Sequence, residues 1–186
     1  MSRRLGAVLI FLALLASRRA AAQISEGTLK ALVVEKFTRF IDWPPETLPQ
    51  GAPFVVCLLG TSAVADDVAK LAKGRPFKER SSSVRRVKAG EDLGSCHILF
   101  IADSEAPRLP RIVATVATKP ILTVSDTPGF AERGVLINLY MDGPYVRFEV
   151  SVGAAARSKL RFSAKLLRLA RMVGLPPEPG ADRARQ

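Results

Sequence analysis

The sequence is poor in the residue types that carry most enzyme chemistry. Its 186 residues include one histidine, His97, two cysteines, Cys57 and Cys96, and one tryptophan, Trp43. No His/Cys cluster shows metal-ligand spacing, and GxSxG, P-loop and Rossmann glycine patterns are all missing. These absences remove the common signatures of zinc sites, serine hydrolases and nucleotide enzymes, so no catalytic residue, metal ligand or cofactor is assigned. His97 adjoins an apolar run and has no nucleophile partner in the pattern, so it reads as a structural imidazole rather than a general base.

A membrane-spanning run is missing too. The apolar segment Leu5 to Ala16 is twelve residues long, too short for an ordinary spanning helix. Arg3 and Arg4 precede it and Ala20-Ala21-Ala22 follow it, which is the layout of a secretory signal peptide over residues 1–22 with cleavage near Ala22. The chain carries 28 basic and 17 acidic side chains, a net charge of +11, and losing residues 1–22 leaves 24 against 17, a net +7. A basic exported domain suits an anionic surface or an acidic partner, and export argues against nucleic acid.

What the chain does have is apolar content, 48% of residues, enough for one domain with a sizeable core over residues 23–174. In LKALVVEKFTRFIDWP, from Leu29 to Pro44, the residues Leu29, Leu32, Val33, Phe37, Phe40 and Ile41 recur at helical spacing. The spacing predicts an amphipathic helix with Glu35, Thr38, Arg39 and Asp42 on its polar side. It should stop at about Asp42, because Pro44 turns Trp43 away from helical torsions.

Phe54–Leu59, Cys96–Ile101 and Ile121–Val124 are continuous β-prone runs, the form of strands buried on both faces. Helical segments at 63–73 and 107–117 alternate with them, and Val84–Val87 forms a more exposed strand after a polar Ser81-Ser82-Ser83 loop. Val135–Tyr140 and Tyr145–Val150, separated by Met141-Asp142-Gly143-Pro144, read as a hairpin. The fold expected is α/β: a single domain with a mixed, mostly parallel central sheet flanked by helices and an antiparallel hairpin towards the C-terminus. A last helix is expected from a Ser163 cap to Val173, and Pro176, Pro177 and Pro179 mark residues 175–186 as a disordered tail.

Cys57 and Cys96 each lie in or beside a predicted strand of an exported chain, which favours a disulfide; two buried free thiols are the alternative, since the strand register is not set by sequence. Asn138, Arg147 and Glu149 are polar residues set among strand positions. Alternation places Arg147 and Glu149 on the face of Tyr145, away from Val146, Phe148 and Val150. They form either a polar recognition face or a cross-strand ion pair.

Four segments, KFTRFIDWP at 36–44, CHILFI at 96–101, ILTVSD at 121–126 with GVLINL at 134–139, and VRFEV at 146–150 followed by SAKLLRLAR at 163–171, together resemble the YfiR family. The resemblance implies a periplasmic, non-enzymatic repressor of a membrane-bound GGDEF diguanylate cyclase, lowered cyclic-di-GMP output, control of biofilm formation, and a homodimer. It implies a cysteine bridge matching Cys57 and Cys96, while the second pair of some relatives is absent here. It also makes Glu149 the leading candidate for partner contact, with Arg147 and Trp43 behind it. A periplasmic module binding a small ligand in a cleft at the strand ends is the competing reading, and an envelope enzyme using His97 is a third.

Overall fold

A computed structural model describes residues 24–174; the expected signal segment and the proline-rich tail lie outside the described residues. The first helix, α1 (Glu26–Phe37), starts where Ser25 Oγ accepts the Thr28 amide at 3.1 Å. It buries Ala31, Val34 and Phe37, while Leu29, Leu32 and Val33 are half-buried. The apolar stripe expected from spacing is thus rotated, and Glu35, expected outside, is buried and paired with Arg39 at 3.1 Å. The cause is packing on two sides, since α1 meets both the second helix and a C-terminal strand of the sheet.

The helix also ends five residues earlier than the sequence led us to expect. Thr38 Oγ1 donates to Glu35 O at 2.7 Å at the helix end, and Lys78 Nζ donates to the carbonyls of the cap residue Thr38 at 3.1 Å and of Ile41 beyond it at 2.8 Å. Ile41–Asp42 then forms β1, antiparallel to β8 (Arg161–Phe162). Proline 44 imposes extended geometry on Trp43, and pairing with β8 carries that geometry upstream.

The remaining elements are β2 (Phe54–Leu59), α2 (Ala63–Gly74), β3 (Ser82–Val87), β4 (Ile98–Ile101), α3 (Leu109–Val116), β5 (Leu122–Ser125), β6 (Ile137–Asp142), β7 (Tyr145–Ser151), α4 (Val152–Arg157), α5 (Ala164–Leu169) and β9 (Arg171–Val173). The sheet order is β3-β2-β4-β5-β6-β7-β9, with every neighbouring pair parallel except the β6–β7 hairpin. The mixed, mostly parallel α/β architecture read from the sequence is therefore the one observed. Two residues, Gly143 and Pro144, join the hairpin, and Gly143 takes φ +56°, a torsion that costs glycine little. Ser82 and Ser83 belong to β3 rather than to a loop. No helix among the described residues is long and apolar enough to cross a membrane.

Alternate residues of the strands feed two cores. Phe54, Val56, Leu58, Ile98, Phe100, Leu122, Val124, Ile137, Leu139, Phe148 and Val150 face α1 and α2 on one side. Cys57, Leu59, Leu99 and Ile101 face α3 on the other, with Leu109, Ile112, Phe130 and Val135. Cys57 and Cys96 are bridged inside this second core, with Cα atoms 5.7 Å apart and both side chains buried. The free-thiol alternative is thereby removed.

Candidate functional site

The second core extends over β2, β4 and the end of β3 but not over the β6–β7–β9 end of the sheet. There the residues opposite the α1 side are polar. Asn138 and Glu149 are register partners across the hairpin, Tyr140 stands opposite Arg147, and Glu149 is matched to Arg171 on β9. Glu149, only 3% exposed, forms an ion pair with Arg171, whose side chain is 60% exposed. Asn138 Nδ2 donates to the other carboxylate oxygen of Glu149 at 3.4 Å, while buried Asn138 Oδ1 has no hydrogen-bond partner among the described residues. The Arg171 guanidinium lies 5.2 Å from the centre of the Tyr140 ring, so one arginine covers both a buried carboxylate and an aromatic face.

Further along the same face Arg147 is exposed, reaches Asp142 at 3.5 Å and lies 5.7 Å from the Tyr145 ring, which is itself 64% exposed. Chemically the face has the means for recognition: paired strands present two arginines beside aromatic rings, with a buried carboxylate beneath one of them. Hydrogen-bond donors in a fork geometry suit a carboxylate-bearing or backbone-carbonyl partner.

Of the residues singled out from sequence, Arg147 and Glu149 share this face as the alternation predicts. Trp43 does not join them. It lies in the core on the other side of the sheet, edge-to-face against Phe54 with ring centres 5.0 Å apart, and its Nε1 donates to His97 O at 3.2 Å. His97 is buried with both ring nitrogens held by backbone: Nδ1 accepts the Val55 amide and Nε2 donates to Thr47 O, each at 2.9 Å. Burial lowers its pKa below the ordinary histidine value; the Thr47 bond opposes that shift and the nearby charge of Arg80 adds to it. The ring stacks on Phe54, so Trp43, Phe54 and His97 form one aromatic block.

Sequence reasoning missed Arg171. The Ser163 cap is as expected, its Oγ accepting the Leu166 amide at 3.2 Å, but the helix ends at Leu169 rather than Val173. Residues 171–173 extend the sheet as β9, which brings Arg171 onto Glu149. The signal available was weak: Arg171, Met172 and Val173 continue the helical periodicity, and only the Gly174 break hints at a change.

These features define an α/β domain whose sheet is helix-covered along one side and, on the other, over only half its width, leaving a polar and aromatic strand face open. A model of the YfiR/HmsC-like family matches residues 27–171, and the chain belongs to that family. The match takes in the whole sheet up to the first residue of β9 and so includes every residue of the open face.

Proposed function

We propose that this protein is an exported, non-enzymatic regulator that binds the periplasmic domain of an inner-membrane GGDEF diguanylate cyclase and represses cyclic-di-GMP synthesis, thereby restraining biofilm formation. Family membership supplies the class of partner. The observation that supports the site is the open β6–β7–β9 face, where exposed Arg171 covers buried Glu149 and the Glu149 carboxylate is shared with Asn138, whose Oδ1 has no partner among the described residues. Glu149 acts by holding Arg171 in place, Arg147 and Tyr145 extend the contact, and Trp43 contributes through the aromatic block of the core.

Repression by such a domain is a difference in affinity. If the regulator binds the cyclase's inactive state ~3 kcal/mol better than its active state, the population moves about a hundredfold. Equal affinity for both states moves nothing, however tight the complex.

The test is binding of the oxidised protein to the periplasmic domain of the diguanylate cyclase encoded beside it, together with cellular cyclic-di-GMP. Submicromolar binding is expected, at least tenfold weaker for Arg171→Glu, and Glu149→Lys should relieve repression while the melting curve stays cooperative. If both variants fold, bind and repress normally, the open face is not the contact. If the unaltered protein binds no such domain, the regulator assignment itself fails.

A further inference from the structure

A second feature lies at the other half of the sheet and is independent of the open face. The four successive parallel strands stand in the order β3-β2-β4-β5, so the winding reverses between β2 and β4. The helices agree: α2, which follows β2, packs in the core on the α1 side, and α3, which follows β4, packs in the other. In open α/β sheets such a reversal leaves a crevice beyond the carboxyl ends of the strands, because the flanking connections diverge to opposite faces.

That crevice is present. Two cavities of about 440 and 680 Å³ meet there, sharing Lys88, Ala89 and Arg108. Their size falls within the range of small-molecule sites, roughly 300–1,000 Å³. Gly60 at the end of β2, with φ +81°, adds no side chain to the cavity wall, and a Cβ there would collide with Ser104.

The lining is basic. Arg86 and Lys88 come from the end of β3, and Arg108 and Arg111 from the start of α3. The acidic groups of the lining are Glu91 and Glu105, and Glu105 is already engaged by Arg108 at 3.2 Å. Arg86 is paired with Asp66 at 2.5 Å, whereas Lys88 and Arg111 have no carboxylate within ion-pair distance among the described residues. Two unneutralised cations facing one crevice repel each other, and an anion placed between them relieves that repulsion.

We infer that the crevice at the carboxyl ends of β2, β3 and β4 is a binding site for a small phosphate-bearing molecule, held between Lys88 and Arg111 with Arg108 at its edge. The cavity is larger than inorganic phosphate requires, so a sugar phosphate or mononucleotide fits it better than the bare ion. The site is built from the ends of β2 and β3, the loops that follow β3 and β4, and α3, and none of its residues lies on the open face.

Calorimetric titration of the purified protein with inorganic phosphate and with ribose 5-phosphate, at matched ionic strength against chloride and acetate, tests the inference. Saturable binding is expected, tighter for ribose 5-phosphate, and at least tenfold weaker in the Lys88→Ala/Arg111→Ala double variant. Arg108→Ala supplies a second reading with a smaller loss, and Arg147→Ala should leave binding unchanged. Absence of saturable binding, equal binding of chloride, or full binding by a folded double variant would overturn the site. So would binding to phosphatidylglycerol vesicles without binding to either soluble probe, which would mark a membrane-facing surface instead.

Discussion

The two halves of the central sheet are built by different rules. In β2 and β4 both sets of alternating residues are apolar and buried: Val56, Leu58, Ile98 and Phe100 towards α1 and α2, Cys57, Leu59, Leu99 and Ile101 towards α3. In β7 only one set is buried in a core, Phe148 and Val150, while Tyr145 and Arg147 meet solvent. Strands covered on both sides must be apolar throughout, whereas a strand covered on one side is free to carry charge on the other. The first half therefore builds a two-sided core, and the second leaves one face open to solvent.

The sharpest way to test that division is to weaken the covered half. Removing the Cys57–Cys96 bridge, which closes a separation of 39 residues, should cost about 4 kcal/mol by loop-closure entropy. Urea denaturation with and without reductant would show it, and an unchanged midpoint would mean the bridge carries no stability. Leu99→Ala, fully buried in the α3-side core, should cost about 3 kcal/mol through lost burial and a residual cavity. A loss near zero in the same denaturation would break the assignment of this half as the stability core.

A smaller effect is expected from pH. His97 has a folded-state pKa below its unfolded value, so the unfolded chain binds the extra proton first as pH falls. Its contribution is complete above about pH 6.5, the unfolded value, and is lost progressively as pH drops through the folded one. The melting temperature of the unaltered protein should thus fall more steeply between pH 7 and 5 than that of His97→Gln. Parallel slopes would remove His97 from the pH response. The smallest effect belongs to the open half: Tyr145→Ala should change stability by about 0.5 kcal/mol or less, being exposed, while still weakening partner binding. A loss near that of Leu99→Ala would erase the contrast between the halves.

Much of this fold was legible in the chain. Phe54–Leu59 is the observed β2 to the residue, because a continuous β-branched and apolar run ending at Gly60 has little else to be. The hairpin was legible from alternation on both sides of Gly143-Pro144. Three details were not. α1 ends at Phe37 because Lys78 and β8, distant in sequence, hold the segment after it, Lys78 through the Thr38 and Ile41 carbonyls and β8 by pairing with Ile41–Asp42. Glu35 and Lys30 are buried because neighbours supply ion pairs, Lys30 to Glu26 at 2.6 Å and to Asp126 at 3.0 Å, and helical periodicity says nothing about such partners. Arg171 reaches Glu149 only because the chain leaves the helix at Leu169 and adds a strand.

The candidate face was half legible. Alternation along VRFEV places Arg147 and Glu149 together, since side chains in a strand alternate whatever the strand packs against. Alternation does not say which polar residue is covered. That Glu149 is buried under Arg171 while Arg147 is exposed depends on β9, and that Trp43 lies on the far side depends on the path from β1 to β2. The sequence by itself determined most of the succession of strands and helices and the hairpin, because these follow from local periodicity and turn chemistry. Only the tertiary structure decided strand order, the disulfide register, the basic crevice and the arginine that covers the carboxylate, because each joins residues whose contact depends on how distant segments pack.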